Sequence, residues 1–292
     1  MTGDALGWGG RAIRGAGGGA LMVAAAVASA APASRALSGE FGVGFDTNVA
    51  NIRQGGDTRE DTFLQLGAIA ETGWKLGSSM AMHWQLQLDG QGYAQYAGLS
   101  RAVPAARWRW LIRPGAGFYA PVLAMSASAA SEEFDSRLRD AAEYRAGLSL
   151  QQQLTTRISL RLGGSASWRE ARRESVFEGS ARSATLDIDW QPWRDVALYA
   201  GYQYRDGDLV STAPNPPPAV LYAARAYAPD DVFDGQTAFR LSGHAEVGTA
   251  GLNYSLSPHW SLDVQARYIE AEADIGTHYR RTQTLASVLW RY

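Results

Sequence analysis

The sequence predicts an all-β fold, a transmembrane antiparallel up-and-down β-barrel of about twelve strands. Three observations carry that expectation. Apolar and polar residues alternate along run after run of the chain, which is the period of a strand with one greasy and one wet face. The connections between runs alternate short and long. Tryptophan and tyrosine gather at the ends of runs rather than in their middles.

Composition agrees with this. The chain has 292 residues, enough for one large β domain. A net charge of −2 gives no electrostatic pull toward nucleic acid. Cysteine is absent, which excludes disulfides, thiolate metal sites and a lipoprotein anchor. Lys75 is the only lysine; the other basic residues are arginine. A mean hydropathy of −0.22 argues against a helical membrane protein. It does not argue against a barrel, because half of each barrel strand faces a polar lumen.

The N-terminal stretch reads as an export signal. Arg11 and Arg14 precede an apolar, alanine- and valine-rich segment from Ala20 to Ala31. Cleavage is expected after Ala30 or Ala36. The expected division is a signal peptide over 1–36 and a barrel over 37–292.

The runs follow in order. In the first, 39–50, Phe41, Val43 and Phe45 alternate with Glu40, Gly42, Gly44 and Asp46. The second, 62–76, puts Leu64, Leu66, Ala68, Ala70 and Trp74 on one face. In the third, 79–95, Met82, Trp84, Leu86 and Leu88 oppose His83, Gln85, Gln87 and Asp89. The fourth, 105–113, sets Trp108, Trp110 and Ile112 against three arginines, and the fifth, 117–130, contains Pro121, a residue of strand edges and bulges. Runs over 140–153, 156–170, 177–190 and 195–207 repeat the alternation. The tenth, 237–255, changes phase near Val247, as a β-bulge would make it do. The eleventh is 259–272, and the twelfth closes the chain from Arg280 to Tyr292.

Short connections fall near 76–79, 113–117, 153–157, 191–195 and 255–259. Long polar ones fall near 51–61, 95–105, 130–140, 170–177, 207–237 and 272–279. Membrane barrels have short periplasmic turns and longer outer loops, and an even strand count returns both termini to one side. Trp74, Trp190, Trp193, Tyr254, Trp260, Trp290 and Tyr292 fall at the periplasmic ends. Phe45, Trp168, Tyr204 and Tyr268 fall near the outer ends. Two aromatic bands are what the two membrane interfaces call for. The longest loop, 206–235, carries Pro214 and the run Pro216-Pro217-Pro218. It either folds into the mouth, sits above it, or is an unstructured surface loop.

The face opposite the greasy one is charged. Its candidate lumen-lining cations are Arg107, Arg109, Arg113, Arg145, Arg157 and Arg161, followed by Arg205, Arg267, Arg281 and Arg291. Its acids are Glu71, Asp89, Glu143, Asp187, Asp189 and Asp263. Arginine rings in a pore favour anions, whereas opposite charges on neighbouring strands pair and fill a small barrel. The interspersed acids favour the second account. The fourth, sixth and seventh runs form the most cationic sector, where an anion path would lie. No cofactor or metal is expected, since neither phosphate-loop nor metal-ligand spacing occurs. His83 reads as a solitary polar filler of the inner face.

The closing strand ends on an aromatic, Tyr292, with no polar tail, and so resembles the last strand of bacterial outer-membrane β-barrels. That resemblance spans 37–292 and implies location in the outer membrane of a Gram-negative cell. It also implies lipid around the barrel and the barrel assembly machinery as partners. The first run, Glu40-Phe41-Gly42-Val43-Gly44-Phe45-Asp46-Thr47-Asn48-Val49, is similar to the opening strand of several outer-membrane barrel families. These include the barrels of polysaccharide export and of surface lipoprotein assembly modifiers. His259-Trp260-Ser261 resembles the His-x-Ser pairing of lipid A deacylase barrels, but it sits at an expected turn with no acid beside it. The expected function is therefore a porin-like passive pore or export channel for small or oligomeric polar solutes, and not an enzyme. The alternatives are a non-transport surface barrel acting through its outer loops and, less favoured, a lipid-modifying enzyme.

Overall fold

The computed structural model describes residues 34–292. Twelve antiparallel strands close into a barrel. They are β1 (Ser34–Asp46), β2 (Asp61–Lys75), β3 (Met80–Tyr93), β4 (Arg101–Ile112), β5 (Val122–Phe134) and β6 (Ala141–Gln153). The circuit continues through β7 (Ile158–Ala171), β8 (Gly179–Trp193) and β9 (Val196–Ala213). A one-and-a-half-turn helix α1 (Pro218–Ala223) and a short strand β10 (Ala226–Pro229) interrupt it. Then come β11 (Thr237–Ser255), β12 (Trp260–Ala273) and β13 (His278–Arg291). Each wall strand pairs with its chain neighbour, β9 pairs with β11, and β1 pairs with β13 from Ser38↔Arg291 to Asp46↔Gln283. That last ladder removes both sheet edges. Among the described residues no helix is long and apolar enough to cross a membrane.

Burial is inverted relative to a water-soluble sandwich. Leu66, Leu86 and Leu148 are 58%, 62% and 59% exposed. Glu40 and Gln85, one position out of phase with such leucines, are 7% and 3% exposed. Leaving apolar surface in water at this scale is costly, so the medium around the barrel is hydrocarbon. Trp190, Trp193, Tyr254, Trp260 and Trp290 ring one end of the apolar belt, and Trp168, Tyr202, Tyr204 and Tyr268 ring the other.

Several expectations change. The tenth run holds one register throughout, Thr237↔Ala213 to Tyr254↔Val196, without a bulge. Its change of polarity has another cause. Above Val247 the inner face is apolar because Phe239 and Leu241 are buried at the mouth, while Glu246 points outward near the outer rim. The irregularity lies instead between Trp190 and Trp193 on β8, where Pro192 cannot donate to the ladder. Pro121 precedes β5 rather than interrupting it. Loop lengths alternate less cleanly than expected: 274–277 is as short as the turn 256–259, and 113–121 is longer. The surplus at the outer end comes from β9 and β11, of 18 and 19 residues, which run past their neighbours. The long 206–235 loop shrinks accordingly, since its first part belongs to β9 and its remainder contains α1 and β10.

Most of the expected leader lies outside the described residues. Residues 34–36, placed in it by the later cleavage point, form the start of β1 opposite Glu71, Thr72 and Gly73.

Candidate functional site: lumen and cap

The first connection, 47–60, does not stand free. Asp46 ends β1 fully buried and accepts from the backbone N–H of Asn48 at 3.1 Å. Asn48, also fully buried, donates to the carbonyls of Ile52 and Arg280 at 2.9 and 3.0 Å and accepts from the Ile52 N–H at 2.9 Å. Asn51 takes a positive φ of 52°, a conformation asparagine tolerates well. Its side chain donates to the Val210 carbonyl at 3.1 Å, and Thr212 Oγ1 donates to the Ala50 carbonyl at 2.6 Å. The loop thus runs from β1 across the mouth to the far end of β9. Three more wall strands stand between those two at the closing side.

The other outer loops meet it. Val49, Ala50 and Ile52 pack with Leu99 and Phe233, flanked by Tyr93, Tyr96 and Val232. Asp61 at the base of β2 accepts from the N–H groups of Gln95 and Tyr96 at 3.1 and 2.8 Å, which fixes the 94–100 loop. Arg139 donates to both oxygens of Asp230 at 2.7 and 2.6 Å and lies over the rings of Phe177 and Phe233 at 4.5 and 5.7 Å. Arg169 donates to Glu132 at 2.7 Å and to the Arg139 carbonyl at 2.7 Å. The paired glycines Gly207 and Gly243 mark the last row at which β9 still pairs with β8 and β11 with β12. Gly207 has φ +148°, and an added Cβ would lie 2.2 Å from the Ser180 carbonyl. Beyond that row Leu209, Phe239 and Leu241 turn inward to the cap.

Below the cap the inner wall is uneven. On β5 its face is Ala124, Ser126 and Ser128, and across β6 to β8 it continues through Gly147, Ser149, Gly163, Ser165 and Ser183. Arg107 and Arg109 stand on β4 opposite Ser128 and Ser126, and Arg145 stands opposite Ser128 from the other side. Arg107 is within electrostatic reach of Arg109, Arg145 and Asp89. Arg145 donates to Glu143 at 3.0 Å. Arg161 pairs in register with Asp187, and Ser159 donates to Asp189 at 3.1 Å.

His83 is not solitary, which corrects the sequence expectation. Its Nδ1 lies 2.8 Å from Glu71 Oε1, and Arg109 reaches the same oxygen at 3.5 Å. Glycine at position 73, between β1 and β3, leaves the room for that imidazole. Asp89 accepts from Gln87. Asp263 accepts from Tyr199 at 2.8 Å and from Asn253 at 3.2 Å, apart from the arginine sector. Arg113 and Arg157 lie in turns at the terminal end, and Arg157 donates to the Pro192 carbonyl at 3.1 Å. Arg281 pairs with Asp46 beneath the cap, and Arg267 faces inward opposite Gln283 and Thr249. His259 Nδ1 lies 2.8 Å from the Arg291 carbonyl, while Ser261 accepts from Asn253 at 3.2 Å. Each has a different partner, and no Ser–His bond joins them. Among the described residues no three histidine or acidic side chains come together to hold a metal ion.

Sequence reasoning missed the cap. Asp46 and Asn48 were visible as the end of the first run, but only the fold shows that they turn the chain inward. The small wall had a legible signal in the alternating Ala124, Ser126, Ser128 and Ala130.

No family model and no curated protein sequence matches the chain. Solved structures do resemble it. An outer-membrane channel from Pseudomonas putida F1 is similar at TM-score 0.55 with 11% identity, over 90% of this chain and 97% of that one. The NanC porin is similar at TM-score 0.49 with 7% identity, over 86% of this chain and 98% of that one. At such identities the likeness is one of fold. The fold shared with the Pseudomonas channel agrees with the lipid-facing belt: the chain has the fold of a transmembrane β-barrel of the outer-membrane type.

Proposed function

We propose that the protein is a passive pore for small polar solutes, with its path along the inner wall of β5 to β8. The observation that supports this is the row of serines and glycines on that wall beside longer arginines on β4, β6 and β7. Small side chains leave part of a twelve-strand interior unfilled, and water and solute take that space. Arg107, Arg109, Arg145 and Arg161 edge the path, so it favours anions. Glu143, Asp187 and Asp189 temper the field by partial pairing. Asp89 and Glu71 do the same beside β4, while Arg113 and Arg157 stand at its inner entrance. Asp263, Arg267 and Arg281 line the opposite side.

The cap narrows the outer mouth and sets a small size limit. Likeness of fold to an outer-membrane channel agrees with this reading. We assign no catalytic role, since the one His-x-Ser pair is split between separate partners. The barrel's surroundings are membrane lipid, and its insertion depends on the barrel assembly machinery. A leader ending at Ala30 leaves β1 whole.

Refolded protein in planar bilayers tests the proposal. Unit conductance above background is expected, with a reversal potential on the anion side in a potassium chloride gradient. A barrel without conductance would overturn it. That outcome would favour a surface barrel acting through its outer loops, a reading supported by the interlocked cap.

A further inference from the structure

Arginines gather in the lumen directly beneath the cap. Arg267 has Arg101, Arg205 and Arg281 as its charged neighbours, with Tyr279 beside them. Two of these are accounted for. Arg281 donates to both oxygens of Asp46, and Arg101 lies 3.8 Å from Glu132. Among the described residues Arg205 donates only to the Asp208 carbonyl, at 3.4 Å. Arg267 has no carboxylate partner among the described residues, and its surroundings are cationic.

Apolar side chains pack beside these groups: Leu209, Ala245 and Ala271 form a buried cluster against which Tyr279 rests. Ala245 and Ala271 separate Arg205 from Tyr279 along one row of the wall, and both are buried. Thr249 and Gly201 lie opposite Arg267 along another. Like charges held together away from bulk water repel, and burial without a counter-charge is strongly unfavourable. A guanidinium presents a planar fork that matches two oxygens of one carboxylate or phosphate. A fork with no carboxylate partner, a second that donates to a carbonyl, and a phenol, all on inward-facing positions of β9, β12 and β13, make a receptor for such a group.

We propose that Arg205 and Arg267, with Tyr279, form a binding site for an oxyanion, the carboxylate or phosphate group of a small solute. The site would hold its ligand whether or not the barrel conducts. Binding to Arg267 would also place the anion beside Arg281, the residue that ties the wall to the cap.

Calorimetric titration of the refolded barrel in detergent tests this, with inorganic phosphate and acetate as separate probes at constant ionic strength. Saturable binding of at least one probe is expected. Phosphate alone would identify a phosphorylated ligand class, and acetate a carboxylate class. Arg267→Gln and Arg205→Gln should each weaken binding about tenfold or more, and Arg267→Lys should keep part of it. Arg182→Gln, on the outward face of β8, should bind as the parent does. If Arg267→Gln fails to fold, the Lys variant and the parent titration still decide. The proposal is overturned if neither probe binds the parent saturably, or if folded Arg267→Gln binds equally well. Saturable binding by a barrel that passes no current would sink the pore and leave this site standing. Current without saturable binding would do the reverse.

Discussion

Arg281 and Asp46 meet across the seam that closes the barrel, the arginine Nε donating to the two carboxylate oxygens at 3.0 and 2.9 Å. The same guanidinium donates through Nη1 to Asn51 at 3.1 Å. Gln283 adds a bond to Asp46 at 2.7 Å. One buried charge pair therefore joins the first strand, the last strand and the loop across the mouth.

Replacing Asp46 by alanine should destabilise the barrel by about 3–5 kcal/mol, because it leaves Arg281 buried and uncompensated. Chemical unfolding of the refolded protein in detergent should show a lower midpoint. An unchanged midpoint would mean that the pair carries no stability.

Asn48→Ala should free the cap without opening the wall. The substitution removes three hydrogen bonds inside the 47–60 loop and to β13, at about 1–3 kcal/mol for the buried groups left unpaired. Arg53 and Arg59 in that loop are the reporters. Trypsin should cut there faster in the variant, while the strand content by circular dichroism stays constant.

Ser126→Phe tests where the path runs. On the small wall a phenyl ring should fill the space opposite Arg109 and cut unit conductance by about half or more, since side chains alone can fill barrels near this size. Conductance equal to the parent's would place the path elsewhere in the lumen.

Depth in the membrane predicts tolerance of charge. Leu148, 59% exposed in the middle of β6, should cost about 2–4 kcal/mol when changed to arginine, and Tyr254, at the terminal end of β11, about 0–1 kcal/mol. Refolding equilibria into lipid vesicles measure both. Equal costs would contradict an apolar belt centred on Leu148.

Much of this was legible in the chain. Alternation marks every wall strand because a strand's side chains change face at each residue and the two faces meet different solvents. Phe41, Val43 and Phe45 against Glu40 and Asp46 needed no partner strand to be assigned a side. The aromatic ends were legible for the same reason, since each interface acts on single residues.

The cap was not legible. Its bonds join Asn51 to Val210, Arg139 to Asp230 and Asp46 to Arg281, far apart in sequence. Nothing in a local pattern distinguishes a loop that stands in water from one that folds across a mouth. The outward polarity of Glu246 looked like a broken register until the buried Phe239 and Leu241 showed a lining beneath the cap. His83 looked solitary because Glu71 and Arg109 approach it from two other strands. Sequence by itself determined the period, the belt and the solvent on each face, which are properties of one strand at a time. Only the tertiary structure decided which charges meet and where the lumen narrows, because those depend on register around a closed wall.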